Sequence, residues 1–120
     1  YPIFRQLFPY HKSVKAGEQL KSLRSFAEIA EEISKVAPLV AKSQLQLVAI
    51  GGGSVGDFVG FLASVFKRGV GLVQIPTTWL AAIDSAHGGK NGLNSQSAKN
   101  QFGTIYPASQ VFLIKEVLIE

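Results

Sequence analysis

Apolar residues recur every three or four positions between residues 20 and 37, and this spacing predicts an amphipathic helix. The positions that define its apolar face are Leu23, Phe26, Ala27, Ala30, Ile33 and Ala37. Because proline disfavours helical geometry at the preceding residue, we expect Pro38 to end this helix. Residues 1–19 are expected to be irregular, apart from a short strand around Val14.

Two further helices are predicted in the second half of the chain. Residues 54–67 carry apolar side chains at helical spacing with few polar residues between them. A third helix is expected from Thr78 to about Ser85, with Thr77 or Thr78 as its N-cap, since threonine hydroxyls accept hydrogen bonds from first-turn amides.

Short apolar runs alternate with these helices and predict strands at residues 45–50, 70–75 and 111–114. The first run ends in three glycines and is expected to be buried on both faces of a sheet. Strands separated by helices are typical of βαβ units. The sequence therefore predicts an α/β fold with a mainly parallel, Rossmann-like sheet and flanking helices.

Composition narrows the class of protein. The chain has 120 residues, of which 47% are hydrophobic and 17% charged, and this length suits a single domain. Its mean hydropathy of +0.22 is high for a small free-standing domain, so some apolar surface is expected to face a missing partner or the remainder of a longer chain.

Several settings are not expected. No apolar run is long enough to span a membrane, and the absence of cysteine excludes disulfides and thiolate metal sites. The start at Tyr1 has neither an initiator Met nor the features of a signal peptide. We expect a fragment or processed domain in a reducing, cytoplasmic setting.

The net charge of +4 favours an anionic partner. The lysines and arginines are scattered, with no basic run and no interleaved aromatic residues, so nucleic-acid binding is not expected. A small anion such as a phosphate suits this distribution better.

A glycine-rich turn is the sharpest local signal. Residues 51–57 read Gly-Gly-Gly-Ser-Val-Gly-Asp between a predicted strand and a predicted helix, and they match the pattern G-x-G-x-x-G. Such a turn lets backbone amides approach a pyrophosphate at a helix N-terminus. The alternative is a tight turn without a ligand. Asp57 either caps the helix or binds a ligand hydroxyl.

The common dinucleotide pattern is incomplete, however. It places an acidic residue at the end of the second strand to hold the ribose, whereas residues 74–78 contain no carboxylate. A plain Rossmann dehydrogenase is therefore disfavoured. The turn is not a P-loop either, because Gly56 is followed by Asp57 rather than by Lys and Ser or Thr.

A second polar cluster lies between Asp84 and Asn100. It combines a carboxylate, lysines, carboxamides and glycines, a composition suited to a small oxygen-rich anion. The alternative is a solvated loop. His87 is either an acid–base group or an ordinary polar residue, and the two histidines, His11 and His87, do not make a metal site.

Taken together, these segments resemble the 3-dehydroquinate synthase family over residues 14–114. The matching segments are Gly17-Glu18-Gln19-Leu20-Lys21-Ser22, Gly51 to Asp57, Arg68-Gly69, Pro76-Thr77-Thr78-Trp79-Leu80, Asp84-Ser85, Gly88-Gly89-Lys90, Asn94 and Lys99-Asn100. Their order, residue types and spacing agree with the family pattern at once, which makes the resemblance more specific than one glycine motif.

The resemblance implies a two-domain lyase of the shikimate route that converts 3-deoxy-D-arabino-heptulosonate 7-phosphate to 3-dehydroquinate and phosphate. NAD would serve as a transient oxidant, and zinc or cobalt would hold the substrate in a C-terminal domain through a Glu and two His beyond Glu120. Residues 1–120 would be one truncated NAD-binding domain, inactive alone. The whole enzyme would be a cytoplasmic homodimer that acts on a phosphorylated sugar acid.

Residue roles carry over by motif position. The NAD-binding positions are Glu18, Lys21, Gly52, Gly53, Asp57, Thr77, Thr78, Leu80, Asp84 and Lys99, with Asp84 lying between the cofactor and the substrate hydroxyls. The positions that would meet the substrate carboxylate and phosphate are Lys90, Lys99, Asn100 and Arg68, the last reaching across from a neighbouring subunit.

Four departures from the family pattern leave alternatives open. Ser54, His87 and Asn91 replace an aliphatic residue, a small apolar residue and a Thr or Ser, and Ser95-Gln96-Ser97-Ala98 replaces H-P-x-G. The alternatives are a related sugar-phosphate cyclase with another substrate and a non-catalytic nucleotide- or phosphate-binding module.

Overall fold

A parallel three-stranded sheet and a separate hairpin pack against the same central helix, Gly53–Val65. The structure, a computed structural model, describes residues 7–8, 10–37, 41 and 44–118. The helices are α1 (Leu23–Val36), α2 (Gly53–Val65) and the single turn α3 (Ala86–Gly88). The strands are β1 (Gln46–Gly51), β2 (Gly71–Pro76), β3 (Lys90–Leu93), β4 (Phe102–Ile105) and β5 (Gln110–Val111).

The sheet confirms the predicted α/β class. Its order is β1-β2-β5 with both pairings parallel, and β1 and β2 are in register from Gln46 opposite Gly71 to Gly51 opposite Pro76. Both strands therefore end at the same edge of the sheet. Among the described residues, no helix has both the length and the apolar character needed to cross a lipid bilayer.

Helix α1 forms largely as predicted, but its start differs. The Ser22 side chain accepts a hydrogen bond from the Ser25 amide at 3.1 Å and begins the helix at Leu23, whereas Glu18–Leu20 forms a short 3-10 turn. Leu23 is half exposed and does not belong to the apolar face. Phe26 does, and it meets Phe61 of α2 edge to face at 5.6 Å. Pro38 lies outside the described residues.

Helix α2 supplies most of the core. Phe58 and Leu62 are almost fully buried and pack with Leu20, Ala49 and Leu93. Burying one large apolar side chain contributes on the order of 1.5–3 kcal/mol, so this cluster joins α1, β1 and the hairpin to α2. The helix predicted at residues 54–67 is confirmed, although residues 66–68 form a separate 3-10 turn.

Three of the strand expectations need correction. Strand β1 is only partly buried, because it is the edge strand; its neighbour β2 is buried from Leu72 to Pro76. The last strand covers only Gln110–Val111, and Phe112 and Leu113 are exposed. No strand forms around Val14 within described residues 10–16.

The β3–β4 hairpin was not predicted. Its first strand reads Lys-Asn-Gly-Leu, which lacks the β-branched and aromatic residues that usually signal a strand. Tertiary contacts hold it instead: the Asn91 carboxamide donates to the carbonyls of Gly89 and Tyr106, at 3.3 and 3.1 Å. The Tyr106 hydroxyl donates to the Val70 carbonyl at 2.6 Å.

The predicted third helix is present in an altered form. Ala81–Ser85 is a π-helical turn that runs into α3. Thr78, one of the two expected caps, accepts a hydrogen bond from the Ala81 amide through its hydroxyl at 3.2 Å. π-Helical turns are rare and are frequent at functional sites.

Gly60→Ala tests the close contact between α2 and the hairpin. An added methyl would overlap the buried Asn91 carboxamide, which cannot move without losing its two hydrogen bonds. We expect a loss of unfolding free energy of about 1–3 kcal/mol, measured by urea denaturation. Gly88→Ala is the control, since nothing lies within 4 Å of a methyl there; equal losses in both variants would contradict this packing.

Candidate functional site

The glycine turn between β1 and α2 leaves the start of the helix open. Gly52 is the N-cap, and no side chain caps the first-turn amides. Close packing explains the glycines at positions 51 and 56. A methyl on Gly51 would lie 2.8 Å from Val55, and a methyl on Gly56 would lie 3.0 Å from the Gln74 carboxamide. The amides at the helix start form a local positive pole that suits an anion.

The end of β2 lies directly beside this turn. The Thr77 amide donates to the Gly51 carbonyl at 2.9 Å. A methyl on Gly52 would lie 3.3 Å from Thr78, and one on Gly53 would lie 3.6 Å from the Ser85 hydroxyl. The structure therefore brings the Pro-Thr-Thr and Asp-Ser segments to the glycine turn, at the sheet edge where α/β proteins bind ligands.

An open cleft of about 460 Å³ lies between α2 and the hairpin. It combines one carboxylate, one ammonium and two carboxamides with backbone groups, and its lining residues are Asp57, Lys90, Asn91, Gly92, Asn100, Gly103, Thr104 and Ile105. Three of the predicted site residues, Asp57, Lys90 and Asn100, thus share one surface. The arrangement can bind an anion through Lys90, and the Asp57 carboxylate can accept a hydrogen bond from a ligand hydroxyl.

Asp57 is not a helix cap. Its carboxylate forms an ion pair with the Lys21 ammonium at 3.0 Å, and Lys21 also donates to the Asn100 carboxamide oxygen at 2.7 Å. Only 4% of the Lys21 side chain and 25% of the Asp57 side chain are exposed. A buried ammonium needs such partners, because removing it from water without them is costly.

The loop from Asn94 to Asn100 is held close to Glu18. The Asn94 carboxamide donates to Glu18 at 3.3 Å and accepts from the Asn100 amide at 2.9 Å. The Lys99 ammonium lies 3.9 Å from the Glu18 carboxylate, and its side chain is 75% exposed. Glu18 therefore lies beside the loop that carries Lys99 and Asn100, although it is far from that loop in the sequence.

Other predicted site residues lie apart from the cleft. Arg68 follows the far end of α2, in an exposed turn with a positive φ of 68°. Leu80 is 77% exposed, and Asp84 is exposed on the π-helical turn beside the glycine turn. None of these three residues lines the cleft.

The residues that depart from the family pattern have different surroundings. The Ser54 hydroxyl accepts from the Gly17 amide at 3.0 Å and ties the first loop to α2. His87 is exposed on α3. Asn91, which the sequence marked only as a departure, lines the cleft and anchors the hairpin. Gly60, whose missing side chain makes room for Asn91, was the available signal in the sequence.

Comparison with known proteins identifies relatives. The family model described as 3-dehydroquinate synthase N-terminal matches residues 11–120. The 3-dehydroquinate synthase of Thermoplasma volcanium is 49% identical over 94 residues, which are 78% of this chain and 25% of that protein.

Solved structures of similar fold include two sugar-phosphate cyclases. A 2-deoxy-scyllo-inosose synthase complexed with carbaglucose-6-phosphate, NAD⁺ and Co²⁺ matches with a TM-score of 0.79 and 35% identity, over 87% of this chain and 28% of that one. The 2-epi-5-epi-valiolone synthase of Streptomyces hygroscopicus, with NAD⁺ and Zn²⁺ bound, matches with a TM-score of 0.76 and 32% identity, over 83% and 27%.

The chain spans about a quarter of the length of the curated relatives it matches. The family match nevertheless covers nearly all of its own residues. The chain belongs to the 3-dehydroquinate synthase N-terminal family.

Proposed function

We propose that this chain is the NAD-binding domain of a 3-dehydroquinate synthase, spanning residues 1–120. The observation that carries the proposal is the junction of two features: an uncapped glycine turn at the carboxyl edge of the sheet, and a cleft lined by Lys90, Asp57 and Asn100 beside the same helix. One feature suits a dinucleotide pyrophosphate and the other suits a phosphorylated sugar acid.

The glycine turn fits NAD in its steric and electrostatic properties. Gly52 and Gly53 lack the side chains that would fill the space beside Thr78 and Ser85, and the first-turn amides have no side-chain cap. In the proposed complex these amides bind the pyrophosphate, and Glu18, Thr77, Thr78 and Leu80 border the rest of the cofactor. NAD, when bound, supplies a transient hydride acceptor.

The cleft residues would hold the substrate and exclude water. Lys90 would pair with a carboxylate or phosphate, Asn100 would donate or accept at a hydroxyl, and exposed Lys99 would close over either ligand. Asp84 would lie between cofactor and substrate hydroxyls. Arg68, distant from this cleft, would act from a neighbouring subunit in a homodimer.

The metal site belongs elsewhere in this proposal. The part of the chain that the structure describes contains no group of three or more His, Asp or Glu side chains able to hold a metal ion. Relatives with this fold bind Co²⁺ or Zn²⁺, and the ligands here would come from a second domain. The 120-residue chain alone would therefore catalyse nothing.

The substrate assignment follows sequence similarity. The first curated relatives, at 40–49% identity, are 3-dehydroquinate synthases, which favours 3-deoxy-D-arabino-heptulosonate 7-phosphate. The second candidate is another sugar-phosphate cyclase, favoured by the structural match to a carbaglucose-6-phosphate complex and by Asn91 in the cleft wall.

Gly53→Ala tests the cofactor site. Its methyl would sit at ordinary contact distance from Ser85, so the fold is kept, but it would occupy the space that the pyrophosphate needs. We expect NAD affinity of the chain to fall by about tenfold, which equals 1.4 kcal/mol, in calorimetric titration. Gly88→Ala is the matched control, because nothing lies within 4 Å of an added methyl there; unchanged affinity in Gly53→Ala would contradict the assignment.

Lys90→Ala separates the substrate from the cofactor. In the whole protein that contains this chain, we expect kcat/KM to fall by about 10–100-fold through loss of a charge-assisted hydrogen bond, while NAD affinity stays within about twofold. Steady-state phosphate release and NAD titration measure the two effects. Lys12→Ala removes a surface lysine as control; an equal loss of both functions in Lys90→Ala would contradict the role.

Phosphate release also identifies the substrate. With the whole protein, we expect release from 3-deoxy-D-arabino-heptulosonate 7-phosphate and background rates with glucose 6-phosphate. Release from glucose 6-phosphate alone would favour the second candidate. If neither sugar phosphate reacts and NAD still binds, the 3-dehydroquinate synthase assignment is contradicted and a non-catalytic nucleotide-binding module is favoured.

A further inference from the structure

Lys21 is the most deeply buried charged residue described, and it lies behind the cleft rather than in it. Its exposed fraction is 3%, and it is not among the residues that line the cleft. Both of its side-chain partners, Asp57 and Asn100, do line the cleft. A ligand in the cleft would therefore contact the partners and not the ammonium.

Lys21 also holds both ends of the loop that carries Lys99. At one end its backbone carbonyl accepts from the Asn94 amide at 2.7 Å, and at the other its ammonium donates to Asn100 at 2.7 Å. Asn100 has a positive φ of 54°, a conformation that asparagine tolerates better than most residues. The contact with Lys21 fixes the carboxamide of a residue held in this uncommon conformation.

We propose that Lys21 is a positioning residue that orients Asp57 and Asn100 and joins the loop 94–100 to α2. This inference adds a positioning role to the NAD contact that the family resemblance implies for Lys21, a contact that stays a prediction. It rests on the proposed function only for what the cleft binds; the positioning itself involves contacts within the ligand-free chain. The loop would lose its order at the Asn100 end once the ammonium is removed.

Lys21→Met is the first test, since methionine keeps most of the length of the side chain without the charge. By ¹⁵N relaxation on the nucleotide-free chain, we expect the order parameters of residues 98–100 to fall from about 0.85 toward 0.6. The Asn94 amide should stay ordered, because the backbone carbonyl of residue 21 remains. Lys12→Met removes an exposed ion pair with Glu32 and should change neither end. An ordered Asn100 in Lys21→Met would overturn the proposal.

Asn100→Asp tests the same contact from the exposed side. With Lys21 present, the new carboxylate meets an ammonium, and the loop should stay ordered. Combined with Lys21→Met, it leaves two carboxylates facing each other, and order should fall further than in Lys21→Met alone. Loss of order in Asn100→Asp with Lys21 present would overturn the proposal, and this measurement does not require Lys21→Met to fold.

Chemical rescue separates the charge from the packing. The chain has no cysteine, so Lys21→Cys can be alkylated at one site while unfolded and then refolded. Treatment with 2-bromoethylamine restores an ammonium of similar reach and should restore the order of residues 98–100, whereas iodoacetamide adds a neutral group and should not. Equal rescue by both would overturn the proposal. Failure of NAD to bind would contradict the proposed function but would leave these nucleotide-free measurements unaffected.

Discussion

The close approach of helix α2 to its neighbours determines the arrangement of this chain. Gly56 lets the helix lie against the Gln74 side chain of β2, and Gly60 lets it lie against the Asn91 side chain of the hairpin. A methyl at either position would meet those groups at 3.0 Å or less. Because both contacts lie on one helix, the sheet edge and the hairpin are fixed relative to each other, and a cleft forms between the hairpin and α2.

The buried ammonium of Lys21 lies between helix α2 and the loop after the first strand of the hairpin. It lies between Asp57, one turn into α2, and Asn100, in the loop after β3. Taking a charge out of water is costly, so the buried pair is better explained by the orientation it gives to Asp57 and Asn100 than by a gain in folding free energy. Here it links the helix behind the glycine turn to the loop beside the hairpin, two segments that the backbone does not join directly.

Local sequence patterns predicted the elements whose stability is local. The helix at residues 54–67 and the strand at 70–75 carry strong apolar periodicity, and both form within two residues of expectation. The glycine turn was also predicted, because its glycines stand between an apolar run and a helical pattern. In the structure, Gly51 and Gly56 leave room for Val55 and Gln74.

Elements that depend on distant contacts were missed. Strand β3 has little intrinsic strand preference and exists because the Asn91 carboxamide bridges two carbonyls. Asp57 was expected either to cap the helix or to bind a ligand hydroxyl, and neither expectation included its partner Lys21, which lies 36 residues away. Spacing along the chain grouped Lys90 with Asn100 in one polar cluster and placed Asp57 in a separate glycine motif; their meeting in one cleft needed the tertiary structure.

The glycine turn and the adjoining cleft are proposed to form one NAD-dependent site. The most direct measurement is an amide chemical-shift titration of the chain with NAD. We expect the largest shifts at Gly52, Gly53 and Thr78, smaller ones at Asp57, and none at Arg68, at the far end of α2. Saturating NAD that leaves Gly53 unshifted, or shifts only residues around Arg68, would contradict it.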